Sequence, residues 1–369
     1  LRIKHISVRE LFGIFNHQIP VNMSDRITII FGPNGFGKTF FLSLVDALFN
    51  GRYQEFYRIP FRELAVTFDD ESILSVTKEP NEDGERLHVR YGDEVVTTEP
   101  LRPPADDLLW LRNLSDAVNV HLINTERLLG STGTAVRNYS SELCERIEES
   151  LADYAALSHS LDRTFPQRLI SGSAEQERSP EVLKEKLREL EKKRQRLTEA
   201  GILDRDDIEI NELNHISEQN RDVLSIYLGD VEKKLGIFDE LAEKIELLVK
   251  ILNGRFFHKH IEINRKDGFV FIDSTGKRLL PEHLSSGEQH AIVLLCELLF
   301  KIEPNALILI DEPELSLHVF WQQQFLKDIE EIIHIAAFDV LIATHSPQII
   351  HDRWDLAVEL KGPENEALY

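Results

Sequence analysis

Eight consecutive residues, Gly32-Pro33-Asn34-Gly35-Phe36-Gly37-Lys38-Thr39, have the types and spacing needed to bind phosphate. They match the pattern G-x-x-x-x-G-K-[ST]. Glycines let the backbone approach an anion closely. A lysine after the last glycine reaches the β- and γ-phosphates of a nucleoside triphosphate, and the hydroxyl beside it holds Mg²⁺. Here those residues are Lys38 and Thr39. Polar groups also end two apolar runs: Asp311-Glu312 after Ala306–Ile310, and Thr344-His345-Ser346 after Val340–Ala343. A fourth stretch, Leu284-Ser285-Ser286-Gly287-Glu288-Gln289, precedes the apolar run Ala291–Phe300. Ser285, Ser286 and Gly287 thus fall at a helix N-terminus, where backbone N–H groups favour anions.

These groups need elements to hold them. Ile27-Thr28-Ile29-Ile30-Phe31 is apolar and β-branched, the pattern of a buried strand. Phe40–Phe49 is apolar enough for a buried helix, with Gly51 as its stop. Strand, glycine loop and helix together aim backbone N–H groups at phosphate. Ala306–Ile310 and Val340–Ala343 are likewise strand-length and polar only at their C-terminal ends. Ligands of open α/β sheets bind outside such carboxyl ends.

The rest of residues 1–100 reads as short alternating strands: Leu1–Val8, His17–Val21, Glu63–Phe68, Ser72–Lys78 and Arg86–Tyr91. Turn-rich Asp69-Asp70-Glu71 and Asn81–Gly84 join them as hairpins, so an antiparallel sheet is expected beside the nucleotide site. Val118–Ile123 is one more strand. From about 138 to 254 the pattern becomes helical. Ser141–Leu161 has helical spacing, and Ser179-Pro180-Glu181 starts a helix with Leu183, Leu187, Leu190 and Leu197 on one face. Leu241, Ile245, Leu248 and Leu252 form a similar face, closed by Gly254. A compact helical insertion, or a short coiled-coil arm, is expected there. His258–Ile263 and Phe269–Ile272 then read as a hairpin, and Ala357–Leu360 as a last strand.

A length of 369 residues suggests two domains, or one with an insertion. No run of about 18 apolar residues exists to span a membrane, and Leu1–Ile6 reads as a strand rather than a leader. Two cysteines, Cys144 and Cys296, exclude a disulfide framework and fit a reduced cytoplasmic setting. The net charge of −22 disfavours broad nucleic-acid binding, which needs Lys and Arg to neutralise phosphates.

The order of these motifs resembles the ABC-type ATPases, in the soluble branch that holds the SMC, RecF and overcoming-lysogenization-defect (OLD) proteins. The resemblance covers about residues 1–135 and 256–360 and is positional only between them. It implies an α/β fold: a P-loop NTPase head, with a mixed central sheet and an antiparallel β lobe, interrupted by a helical insertion. The expected division is 1–137 and 255–369 for the head and 138–254 for the insertion. By the same resemblance Gly32–Thr39 bind ATP, Thr39 and Asp311 hold Mg²⁺, Glu312 activates the attacking water and His345 touches the γ-phosphate. Ser285, Ser286 and Gly287 close over the ATP of a second subunit, so a homodimer is implied. Glu314-Leu315-Ser316-Leu317-His318 matches a loop that contacts that subunit. Gln54 is the nearest match to the Mg²⁺-sensing glutamine. Phe12, Phe15 and His17 stand where adenine is contacted, the two phenylalanines being equally readable as core. Arg52, Arg58 and Arg127 are candidates for phosphate or DNA.

Within that branch, the details look most like ATPases of bacterial anti-phage systems: OLD-like, Septu-like, retron-associated and PARIS-like. These imply an ATP-dependent switch controlling DNA access or a nuclease of the HNH or TOPRIM type, expected here as a separate chain or beyond the end of this sequence. The alternatives are a scaffold or sensor that sequesters an effector without binding DNA, or a DNA repair ATPase.

Overall fold

The computed structural model describes residues 1–81, 84–98, 114, 117–124, 132–170, 179–204, 220–315 and 317–362. Arg127 and Ser316 lie outside them. The chain separates into two compact units, Leu1–Thr132 with Leu294–Tyr369, and Gly133–Val293.

The first unit holds two sheets. Strands β1 (Ile3–Leu11), β2 (Phe15–Pro20), β3 (Ile27–Phe31), β4 (Glu63–Phe68), β5 (Ile73–Asn81), β6 (Gly84–Tyr91), β7 (Glu94–Thr98) and β8 (Val120–Asn124) precede the helices of the second unit. Strands β1, β2 and β4–β7 form an antiparallel sheet in the order β2-β1-β4-β5-β6-β7. Its strands alternate as the sequence predicts: Leu64, Val66 and Phe68 of β4 are buried, and the residues between them only partly so. β7 follows β6 across the two-residue turn Gly92-Asp93, with Tyr91 opposite Glu94, a hairpin signal that the sequence reading passed over.

The second sheet is parallel. Among the described strands its order is β14-β3-β13-β12-β8, with β12 spanning Leu307–Asp311, β13 Asp339–Thr344 and β14 Ala357–Glu359. Every residue of β12 and β13 is buried, which is why both read as unbroken apolar runs. The helix Lys38–Phe49 is buried nearly all round, and Phe41, Leu42, Leu44, Val45 and Leu48 share a core with residues of both sheets. Arg2 fastens β1 to the start of β13 through Asp339, with Nε to carboxylate at 2.8 Å.

The second unit is helical, with a small sheet. The helix over Ser141–Leu161 runs further at both ends, from Thr132 to Ile170. Helices Pro180–Glu199, Arg221–Gly236 and Asp239–Asn253 follow. Ser179 caps the first of these, accepting from the Val182 N–H at 3.5 Å. Cross-helix pairs set the directions. Arg168 meets Asp230 at 2.6 Å and Lys234 meets Asp162 at 3.0 Å, so Thr132–Ile170 and Arg221–Gly236 are antiparallel. Lys193 meets Asp239 at 2.7 Å and Arg196 meets Glu246 at 2.6 Å, so Pro180–Glu199 runs parallel to the later helices. The exposed Lys234–Asp162 pair orients more than it stabilises, whereas Asp230 is buried under Arg168. Leu183, Leu190 and Leu197 are the buried stripe, each contributing about 1.5–3 kcal/mol.

Strands β9 (Lys259–Asn264), β10 (Gly268–Asp273) and β11 (Arg278–Leu279) form an antiparallel sheet in the order β11-β10-β9. It is tied to the helices. The Asn253 amide donates to Ile261 O at 3.0 Å and accepts from Ile261 N–H at 2.7 Å. The Ser140 hydroxyl accepts from Phe269 N–H at 2.8 Å. The second unit runs on through this sheet to Val293. Among the described residues no helix is long and apolar enough to cross a membrane.

Candidate functional site

Strand register builds the site. β3 pairs with β13 so that Phe31 lies opposite Thr344, and β13 pairs with β12 so that Ala343 lies opposite Asp311. Three adjacent parallel strands thus end at one level. The glycine loop leaves the first, His345 follows the second and Glu312 follows the third. This is the carboxyl edge where α/β sheets place their ligands.

Within the loop, Gly35 and Gly37 have φ of 90° and 80°, a region that a side chain at Cβ disfavours. A Cβ on Gly37 would also meet Leu11 Cδ2 at 2.6 Å. Helix Lys38–Phe49 begins directly after it, with Phe41 N–H donating to Gly37 O at 2.8 Å. The N-terminal N–H groups and the positive end of the helix dipole therefore face the loop. Lys38 is buried, and its Nζ donates to Gly32 O at 2.7 Å and to Pro33 O at 3.1 Å. Burial pushes its ammonium below the ordinary lysine range, against the pull of Glu312, Glu314 and Asp311.

His17 supports the loop from beneath. It is buried, and its Nε2 bonds Phe36 O at 2.9 Å. A carbonyl only accepts, so Nε2 carries the proton. Burial holds the imidazole below its usual range. Phe15 is buried and stacks on His17 with centroids 5.6 Å apart. These two support the loop and fill the core beneath it. Phe12 is different. It is partly exposed, sits edge-on to Phe40 at 5.0 Å and lines the loop's pocket with Asn34, Gly35, Gly37, Lys38, Thr39, Phe40 and Glu312. The pocket measures about 140 Å³, below the roughly 300 Å³ at which small-molecule pockets start. It has room for a phosphate tail rather than for a whole nucleotide. A cavity of about 450 Å³ in the second unit, around Thr198–Asp204 and Glu262–Lys266, holds none of the motif residues.

The Thr39 hydroxyl hydrogen-bonds Asp311. Hydroxyl and carboxylate oxygens are ligands that suit Mg²⁺, which is commonly held by one or two protein groups and substrate phosphates. No cluster of three or more His, Cys, Asp or Glu able to hold a metal exists among the described residues. The donor set thus fits a shared Mg²⁺ and not an all-protein cage. Burial raises the Asp311 carboxyl to about 6, opposed by the Thr39 bond and reinforced by Glu312 and Glu314. Two opposite pH effects follow. A raised carboxyl stabilises the metal-free fold below its unfolded pKa, and that stabilisation is lost as pH rises through about 6. A metal held there would have to displace the proton, so its affinity would fall as pH drops, approaching tenfold per unit below the raised value. Titration of Mn²⁺ or Mg²⁺ between pH 5 and 8 checks this, and a flat profile would contradict it.

Glu312 has a φ of 46°, a strained conformation for a non-glycine residue. Its N–H donates to Ala343 O at 2.8 Å, and its carboxylate lies 3.7 Å from His345 Nδ1. Glu314 turns inward. Its buried Oε1 accepts from the Thr344 hydroxyl at 2.6 Å and from His345 N–H at 2.9 Å, and lies 3.1 Å from His345 Nδ1. Gln322 is also buried and donates to Glu314 O and Leu317 O, both at 3.1 Å. Sequence reasoning placed Glu314 in a partner-facing loop and passed over Gln322. The available signal was the fourth residue of Asp311-Glu312-Pro313-Glu314, an acid on a tight turn beside the other two. Leu315 of that loop is exposed, and His318 caps the helix Val319–Gln322 through Phe320 N–H at 3.4 Å.

The stretch at Ser285–Gly287 belongs to the second unit. Ser285 and Glu288 form a reciprocal cap: Ser285 N–H donates to Glu288 Oε2 at 2.7 Å, and Glu288 N–H donates to Ser285 Oγ at 3.4 Å. Lys259 of β9 bonds the same Oε2 at 2.9 Å. Gln289 donates to Pro281 O at 2.9 Å and Leu284 O at 3.0 Å. The loop before helix Ser286–Phe300 is therefore held in one shape. Gln54 is exposed at the start of the short helix Gln54–Arg58; Arg52 pairs with Asp46, and Arg58 with Glu55 at 3.0 Å.

Residues 27–351 match the family model described as "AAA domain, putative AbiEii toxin, Type IV TA system". "Retron Ec83 probable ATPase" from Escherichia coli is 28% identical over 103 residues, which are 25% of this chain and 19% of that protein. "Protein ea59" from Escherichia phage lambda is 26% identical over 159 residues, 38% of this chain and 30% of that protein. The chain thus spans less than a third of the length of either relative. Among solved structures, the SMC head domain from Thermotoga maritima is 13% identical with a TM-score of 0.42, covering 97% of this chain and 92% of that one.

Proposed function

The chain belongs to the AAA domain family described as putative AbiEii toxin, Type IV TA system, and on that premise we propose that it is an ATP-hydrolysing switch whose nucleotide site is completed by a second copy. One observation carries the reading: the register that sets the glycine loop, Asp311-Glu312 and His345 at the ends of three neighbouring strands.

Gly32–Thr39 wrap the triphosphate with backbone N–H groups, and Lys38 neutralises its β- and γ-oxygens. Thr39 and Asp311 are the protein ligands for Mg²⁺, which neutralises charge on the same oxygens when bound. Glu312 accepts a proton from the attacking water. His345 contacts the γ-phosphate and orients it. Ser285, Ser286 and Gly287, at the N-terminus of Ser286–Phe300, supply anion-binding N–H groups to the ATP of the other copy. The small pocket supports such sharing, since the loop alone encloses little more than phosphate. In this reading 1–137 and 255–369 form the head and 138–254 its insertion.

The switch controls a separate effector, a nuclease of HNH or TOPRIM type or access to DNA, in anti-phage defence. The family description and the retron-named relative favour this reading. A second reading, a sensor that holds an effector without touching DNA, is favoured by the net charge of −22. ATP turnover by the purified chain, with and without duplex DNA across a salt series, separates the two. DNA that neither stimulates turnover nor binds with a salt slope leaves the sensor. Light scattering of Glu312→Gln with ATP and Mg²⁺ tests the shared site: the expected mass doubles on nucleotide addition. A mass unchanged from a monomer would remove the second copy from the mechanism.

A further inference from the structure

Glu314 sits in a closed ring of hydrogen bonds. Its Oε1 accepts from the Thr344 hydroxyl at 2.6 Å, whose Oγ1 accepts from Ser346 N–H at 2.9 Å. The Ser346 hydroxyl donates to Gln322 Oε1 at 3.2 Å, and Gln322 Nε2 returns to Glu314 O at 3.1 Å. Glu314, Gln322 and Thr344 are buried, so the bonds Thr344 and Gln322 make to Glu314 are shielded from competing water, while the two bonds of Ser346 are partly buried. The ring locks the turn after β12 to the turn after β13. On its outer side the same segment exposes Leu315, Val319 and Phe320, while Leu317 and Trp321 are buried.

We propose that Glu314 is the positioning residue for His345, and that the ring with Gln322 couples this histidine to the surface of the loop 313–320. The inference rests on the reading of His345 as a phosphate contact. The chemistry is specific. A carboxylate oxygen can only accept, and Glu314 Oε1 lies 3.1 Å from His345 Nδ1. This is a close approach rather than an aligned hydrogen bond, but an unprotonated Nδ1 there would set its lone pair against the carboxylate, so the Nδ1–H form of the ring is favoured. Nε2 is left as the nitrogen that meets ligand. A carboxylate that fixes a histidine's tautomer and direction in this way is commonly worth about 10–100-fold in function. Glu314 Oε1 also takes the His345 N–H at 2.9 Å, so one carboxylate oxygen holds the backbone and lies beside the ring. A displacement of Leu315 or Phe320 moves Glu314, and with it both ends of His345.

The test uses the full chain carrying Glu314→Gln or Gln322→Leu, with His345→Ala marking the resonance. Long-range ¹⁵N–¹H spectra of ¹⁵N-histidine-labelled protein report the tautomer without any ATP turnover. Wild type is expected to show the Nδ1–H form at His345. Glu314→Gln is expected to lose the preference for that form, since an amide at this position can present a donor instead. In steady-state assays Glu314→Gln is expected to lower kcat about 10–100-fold with KM within about threefold. Gln322→Leu is expected to lower kcat less and to leave the tautomer in place. An Nε2–H form in the wild type, or the wild-type tautomer and kcat in a folded Glu314→Gln, overturns the proposal. A wild type that shows the Nδ1–H form but hydrolyses no ATP overturns the functional reading and leaves the positioning role standing. A kcat loss matched by equal losses of nucleotide affinity and melting temperature assigns Glu314 to stability alone, which also overturns it.

Discussion

Glu312→Gln is expected to slow ATP hydrolysis by about 10²–10⁴-fold, the usual worth of a positioned general base, while ATP and Mg²⁺ still bind. Glutamine keeps the shape and loses the ability to take a proton. The expectation of intact binding has a structural basis. Glu312 leaves β12 with a φ of 46° and is pinned through its N–H to Ala343 O at 2.8 Å. Its backbone is set by the sheet, not by its charge, so the exchange leaves the edge of the site in place. Strain held this way at a strand end is a frequent mark of a functional residue. Single-turnover hydrolysis beside equilibrium binding of a fluorescent ATP analogue measures both quantities. Equal loss of affinity and rate would mean that Glu312 shapes the site instead of acting in it.

Lys38→Ala is expected to abolish both quantities together. The ammonium makes charge-assisted bonds, each worth about 1.5–3 kcal/mol. Two such bonds to phosphate correspond to about 10²–10⁴-fold in affinity. Lys38 also holds its own loop, through Gly32 O at 2.7 Å and Pro33 O at 3.1 Å. Its removal therefore releases two carbonyls in addition to losing a cation, and Lys38→Arg is no rescue in so enclosed a position. Calorimetric titration with ATP and Mg²⁺ decides the matter, with the melting temperature of the nucleotide-free protein as the control for folding. Retained affinity in a folded Lys38→Ala would remove the loop from the binding site. The two variants act as a pair, since Glu312→Gln separates binding from chemistry and Lys38→Ala does not.

Elements that rest on local pattern were legible in the sequence. Gly35 and Gly37 adopt positive φ where the motif needs them. β4 spans Glu63–Phe68 as its alternation predicts, and Ser179 caps its helix. Other elements were missed or cut short. β7 went unseen, and the helix over Ser141–Leu161 extends to Thr132 and Ile170. Pro166 lies inside the last turns of that helix, where the loss of one backbone bond is tolerable. Asn253 and Ser140 bond into the hairpin after Gly254. No periodicity encodes such a contact.

Taken by itself, the sequence determined which groups are present and which short elements carry them. A glycine loop between strand and helix is set by φ preferences and apolar runs within a few tens of residues. The tertiary structure alone decided which groups meet. Thr39 bonds Asp311 because β3 and β12 flank β13 in one register. Glu314 meets His345 because the turn after β12 folds inward over the end of β13. Lys259 completes the cap at Ser285 from another strand. Each of these depends on strand order, register and burial. Those follow from closing a common core across the whole chain, and no local run of residues contains that information.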